Sequence, residues 1–296
     1  MQHSIQQGWP VFIRACVLAM LVGVVAVAGA CEANPVGPTQ KEPADTSNQL
    51  DPQRFVLFNE QPWNALTAMG WSYLRRTSSK DADIVTDATA PASPPHVLRI
   101  TFTPGMSRDT EPGVHWIRLP GPREIHAFWW VKLSTNWTPS PAGAAKMTFL
   151  HPGPDGQGQV YTALGGSSAP HSMIVNTEWA PYGQKFWEPN VTPSPITYDH
   201  WYRVEWYVKW ESMPRAGNGI LRWWVDGVLN GEYGNVSFPV GGTGFQQFEF
   251  APTIQKPPPA EQYMYIDHTS IRTGASSAYS DAMALPPWRS AQERTR

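Results

Sequence analysis

The sequence predicts an all-β protein, a sandwich of two antiparallel sheets of jelly-roll type. The first observation is alternation. In "HVLRITFT", Leu98, Ile100 and Phe102 alternate with Arg99, Thr101 and Thr103, the pattern of a half-buried antiparallel strand. The second is composition: 30 prolines and 24 glycines in 296 residues disfavour long helices and suit short strands joined by turns. The third is the lack of any repeat with a period of about 20 to 50 residues, which argues against a propeller or solenoid.

In chain order, residues 1–30 read as an export signal. Arg14 precedes an uncharged apolar run, Ala15 to Ala30, that ends in small residues. The run is short for a membrane span, which takes about 20 residues. Ala28-Gly29-Ala30-Cys31 resembles a bacterial lipobox, which implies lipidation at Cys31 and a membrane partner through that anchor. An ordinary secretory signal cut near the same place is the alternative. Cys16 leaves with the signal and Cys31 carries lipid, so the mature chain has no disulfide and depends on its core. Residues 31–54 are a flexible tether without apolar periodicity. Residues 55–280 form the jelly-roll domain and 281–296 a C-terminal tail. Under the bacterial reading the sequons at Asn136, Asn190 and Asn235 are chance.

Within the domain, further strands are predicted at 114–118, 124–133, 146–151, 159–164, 172–176, 202–210, 220–226, 228–236, 245–251 and 262–273. The longest loops, 86–96, 134–145, 177–199 and 252–261, are rich in Pro and Gly. Only 60–70 has a faint helical pattern.

Two strands are legible face by face. In "RVEWYVKW", Val204, Trp206, Val208 and Trp210 form an apolar row opposite Arg203, Glu205, Tyr207 and Lys209. A hairpin closed around Asn218-Gly219 leads to the next strand. There Leu221, Trp223 and Val225 form the apolar row, opposite Ile220, Arg222, Trp224 and Asp226. If Trp223 is core, Trp224 is not. A face carrying Trp, Tyr, Arg, Lys and Glu suits a sugar, because rings stack on a pyranose while charged groups hydrogen-bond its hydroxyls or carboxylate. The alternative is a solvated face of cross-strand ion pairs.

"DHWYRVEWYVKW" with "GNGILRWWVDGVLNGEYGNVSF" resembles the paired strands of concanavalin A-like lectin/glucanase jelly rolls, especially the polysaccharide-lyase-like members. "EIHAFWWVKLSTNW" and "KMTFL" resemble the strands that open their concave sheet, and "EQYMYIDHTSIRTG" their closing strand. The resemblance covers roughly residues 97 to 274. It implies a concanavalin A-like fold and leaves the activity open, since one frame hosts lectins, hydrolases, lyases and structural modules.

The catalytic options narrow on the residues present. A retaining laminarinase-type glycosidase needs paired carboxylates on one strand, and no Glu-x-Asp-x-x-Glu motif occurs. "EIH" at 124–126 resembles the Gln-Ile-His motif of alginate lyases with Glu in place of Gln, and a glutamate there would repel a substrate carboxylate. The lyase candidates are His126, Tyr207, Lys209 and Arg222. The candidate ligand-binding residues are Trp130, Lys132, Glu205, Tyr207, Arg222, Trp224 and Glu249. No metal or cofactor motif is present, so no cofactor is expected.

A net charge of −2 gives no electrostatic footing for nucleic acid. Fifteen tryptophans beside 16% charged residues fit stacking on an uncharged or acidic ligand, or a Trp-rich core. The reading favoured is an exported, lipid-anchored carbohydrate-binding protein of the bacterial envelope that engages a polysaccharide. A polysaccharide lyase acting by β-elimination on a uronate-containing glycan is the second reading, and a surface structural or adhesion protein the third.

Overall fold

A computed structural model describes residues 54–274, apart from 64–69, 76–80, 108, 139–143, 154–157, 180–181 and 240–241. The signal with Cys31, nearly all of the tether, the C-terminal tail and most of the faintly helical segment lie outside the described residues.

The described residues form two antiparallel sheets. In the eight-stranded sheet the order is β13 (Val228–Val236), β12 (Gly219–Val225), β11 (Tyr202–Lys209), β6 (Glu124–Leu133), β15 (Gln262–Gly274), β4 (His96–Phe102) and β3 (Ala82–Thr86). The eighth strand, β1 (Phe55–Gln61), pairs with the C-terminal half of β15. The seven-stranded sheet runs β10 (Gly183–Trp187), β9 (Ser172–Trp179), β8 (Gln159–Gly165), β7 (Ala144–His151), β14 (Gln247–Ile254), β5 (Gly113–Arg118) and β2 (Ser72–Arg75).

The strands with strict alternation sit where their pattern puts them. Val204, Trp206, Val208, Leu221, Trp223 and Val225 are all buried between the sheets, with Ile125, Ala127, Trp129 and Val131 of β6 beside them. Facing them from the other sheet are Phe248 and Phe250 of β14, whose rings meet Trp129 edge-on. Edge-to-face contacts of this kind add to the area that the rings bury. Among the described residues ten tryptophans are buried (63, 71, 129, 137, 179, 187, 206, 210, 223 and 224), so most of the tryptophan excess builds the interior.

The turns follow residue chemistry. Asp226 and Gly227 have φ of 51° and 78°, the left-handed pair that a two-residue hairpin between right-twisted strands requires. The β11–β12 connection is longer than a tight Asn218-Gly219 turn. Buried Glu211 gathers it by accepting from the backbone N–H groups of Arg215, Gly217 and Phe238. Four strands depart from the expected pattern: β1, β2 and β3 are additional, and β10 lies inside the predicted loop 177–199.

Candidate functional site

The outer face of the eight-stranded sheet is where alternation places a ligand. Register brings the expected residues together there: Glu205 lies opposite Trp224 and Phe128, and Tyr207 opposite Arg222 and His126. Trp130 and Lys132 continue the same face of β6, and Lys209 that of β11. Glu249 is elsewhere, on the seven-stranded sheet.

The charged groups of this face are turned on one another. His126 Nε2 and Glu205 Oε2 are 3.1 Å apart, and Arg203 Nη1 donates to Glu205 Oε1 at 2.8 Å. Arg222 pairs with Glu232 at 2.6 Å, and Lys132 with Asp87. Glu124 accepts from both Tyr207 and Arg54. Burial alone would raise the pKa of Glu205. The hydrogen bond from His126 and the charges of Arg203, His126 and Arg272 outweigh it and hold the carboxylate below its ordinary value. Burial, reinforced by the bond to Glu124, drives the Tyr207 phenol well above its ordinary value.

Trp224 is the correction. It shares a cluster with Tyr207 and Phe55, whose ring lies 5.9 Å from Tyr207 and 5.8 Å from His126. Strand β1 supplies this cover by pairing Phe55 with Gly274 at the end of β15. Trp224 is 7% exposed and Tyr207 2%, so neither ring is open for stacking. The face is one of cross-strand ion pairs with an aromatic seal.

The outer face of the seven-stranded sheet has a different character. Register sets Ser72, Trp116, Glu249, Phe149, Tyr161, Asn176 and Phe186 in one row across all seven strands. Two residues along each strand on the same side, a polar row contains Arg118, Gln247, His151, Gln159, Glu178 and Gln184. A bulge between Lys146 and Thr148 matters here. It changes the parity of β7 so that Lys146, Phe149 and His151 share this face, while Met147 and Leu150 enter the core.

These side chains form a connected network. Glu249 takes a hydrogen bond from Gln247 at 2.7 Å and meets His151 Nε2 at 2.9 Å. His151 stacks on Phe149, Gln159 donates to Glu178 at 2.8 Å, and Gln184 donates to the Tyr161 hydroxyl at 3.2 Å. Lys146 Nζ lies 4.6 Å from the Tyr161 ring centre, and Arg118 lies over Trp116. Burial pushes the Tyr161 phenol up to about 12, with Glu178 adding to the shift and the Gln184 bond opposing it. Tyr161 is therefore a neutral hydrogen-bonding group at physiological pH. Asn176 is fully buried, and neither end of its amide has a hydrogen-bond partner among the described residues.

Cavities open at both ends of this face. One of about 390 Å³ lies at the β2–β5 edge beside Trp116 and Arg118, and one of about 410 Å³ beside Phe186 and Glu188. Five strand spacings separate Trp116 from Phe186, roughly 24 Å at the usual spacing between strands. Among the described residues no cluster of three His, Cys, Asp or Glu side chains suits a metal ion.

Two stacked antiparallel sheets of eight and seven strands, with a first strand returning to pair with the last, decide the comparison with solved proteins. The fold is a concanavalin A-like jelly roll. It is similar to an endo-β-1,4-glucuronan lyase from the fungus Trichoderma reesei, with a TM-score of 0.50 and 16% identity over 75% of this chain and 97% of that one. An alginate lyase gives 0.50 and 14% over 72% of this chain and 96% of its own. A carbohydrate esterase of the Shiga toxin-encoding bacteriophage phi24B gives 0.50 and 12%, over 75% and 100%. No protein-family model matches the sequence, and neither does any curated protein.

Of this face the sequence reading names only Glu249, as a candidate ligand-binding carboxylate grouped with residues of the other sheet, and it omits Trp116, Lys146, His151, Tyr161, Asn176 and Phe186. The available signal was the strand "AAKMTFLH", whose Lys and His fall on one side only if the bulge is known.

Proposed function

We propose that this jelly roll binds a polysaccharide across the outer face of its seven-stranded sheet. One observation carries the reading: above a buried floor of Phe149, Tyr161 and Asn176, a line of exposed and part-exposed side chains crosses the sheet from Trp116 to Phe186, with a cavity at each end. Trp116 at one end and Phe186 at the other offer ring faces. Between them Lys146, His151, Glu249, Gln247, Gln159 and Glu178 present donors and acceptors to sugar hydroxyls. The three similar solved proteins, two lyases and an esterase, are named for carbohydrate chemistry, which agrees with this use of the fold.

A panel of neutral and acidic polysaccharides tests the reading. Trp116→Ala is expected to weaken glycan binding at least tenfold while leaving the melting temperature within about 2 °C, because the ring is part-exposed on the strand next to the sheet edge. Undiminished binding in Trp116→Ala, with loss in a variant of the eight-stranded face such as Arg222→Ala, would return the ligand to that face. Reading the same panel for unsaturated uronate tests the second function, β-elimination. His151, oriented by Glu249, is then the side chain suited to move the proton, since Tyr161 is held neutral.

Export and lipid anchoring at Cys31 belong to this proposal, supported by the apolar leader and the lipobox-like Ala28-Gly29-Ala30-Cys31. A palmitate analogue is expected to label the protein, and Cys31→Ala to abolish the label. Exported but unlabelled wild type would leave an ordinary signal peptide.

A further inference from the structure

The two ends of the seven-stranded face differ in charge, and the difference sorts sugars. The cavity of about 410 Å³ at the β8–β10 end is lined in part by Gly165, Gly166, Ser172, Ile174, Phe186 and Glu188. Glu188 is the one ionisable group among its described lining residues, which include no lysine or arginine. Lys146 is the cation of the adjoining part of the face. Its ammonium is drawn onto the Tyr161 and Phe149 rings, at 4.6 Å and 5.7 Å, and so toward the middle of the sheet rather than toward Ala144 at the cavity.

Two further features mark the cavity as fit for a sugar. Phe186 is 50% exposed on the edge strand, a ring face free to stack. Glycine at 165 keeps the floor low. A Cβ there would come within 3.0 Å of the Ile174 side chain.

We infer that this cavity is a subsite for a pyranose without negative charge, neutral or amino-bearing, that stacks on Phe186 and is screened against uronates and sulfated sugars by Glu188. Acidic units of the same chain then lie toward Lys146. The inference rests on the sheet-face reading above and adds a direction to it: the protein suits a glycan of mixed charge, entered with its uncharged unit at the β10 edge.

The test measures dissociation constants of the full protein for β-1,4-linked tetrasaccharides of glucose, glucosamine and glucuronate. Glu188→Lys reverses the charge at an exposed position. It is expected to tighten the glucuronate chain and weaken the glucosamine chain by about tenfold each, the scale of one charge contact in a part-exposed site, and to leave the glucose chain unchanged. Phe186→Ala is expected to weaken the glucose and glucosamine chains together by a similar factor. Unchanged ratios in Glu188→Lys, in a protein whose binding still depends on Trp116, would overturn the subsite and leave the sheet-face reading standing. Binding indifferent to Trp116 as well, or no binding of any chain by the wild type, would remove both.

Discussion

Replacing Trp223 by alanine is expected to cost about 3–5 kcal/mol, the range for a large aromatic deleted from a packed core. The ring is fully buried, and its Nε1 donates to the Met173 carbonyl at 2.9 Å, so it ties β12 to β9 of the opposite sheet. It also occupies the space left by Gly231, where a Cβ would lie 2.2 Å from the indole. Alanine at 223 therefore opens a cavity and strips a buried carbonyl of its donor, while alanine at 231 collides with the same ring. Trp224→Ala is expected to cost less, roughly 2–3 kcal/mol, since its ring packs on Phe55 and Tyr207 at the sheet's outer surface rather than between two sheets. Urea midpoints of the two variants separate these cases. An unchanged midpoint in Trp224→Ala would mean that Phe55 does not seal the ring, and the outer face of β11 and β12 would again be open to a ligand.

That contrast shows how far alternation carries a reader. The parity rule assigned Trp223 and Trp224 to opposite faces, and β6, β11, β12 and β15 lie close to where their patterns put them. Parity says nothing about what lies above a face. The cluster that covers Trp224 includes Phe55, from the first strand of the domain, whose residues show no distinctive pattern. Strand β10 escaped notice because an edge strand with four of its five residues exposed needs no apolar alternation. The seven-stranded face was hidden by the bulge at Lys146, which breaks the period of two just where Lys146, Phe149 and His151 come together. Glu249 was visible alone, but its partner His151 is brought to it by pairing of β7 with β14, and long-range pairing leaves no local mark in the sequence.

Acidification is expected to unfold the protein through His115, which faces the core from β5. It is fully buried, and neither ring nitrogen has a hydrogen-bond partner among the described residues. Its ring stacks on Tyr73 at 4.6 Å and meets Trp63 edge-on at 5.4 Å. With no acidic partner, burial alone pushes its pKa down to about 4 from 6.5. Between those values the unfolded chain holds a proton that the native state refuses, so stability is fully present above pH 6.5 and falls as the pH drops toward 4. A difference of this size corresponds to about 3 kcal/mol lost across the window. Burial lowers the pKa of His171 as well, so the wild-type slope is shared, and His115→Phe isolates the part due to His115. Glu205, held below its ordinary 4.5 by His126 and Arg203, loses its contribution only below that value, so it leaves the upper part of the window to the histidines. Stability measured by urea at pH 7 and pH 4.5 should fall by about 2–3 kcal/mol in the wild type and by clearly less in His115→Phe. The phenylalanine variant should also be no less stable at pH 7, because an apolar ring of similar shape replaces one with an orphaned N–H. Parallel slopes in the two proteins would show that the imidazolium finds a partner inside the core, and the acid sensitivity would then lie elsewhere.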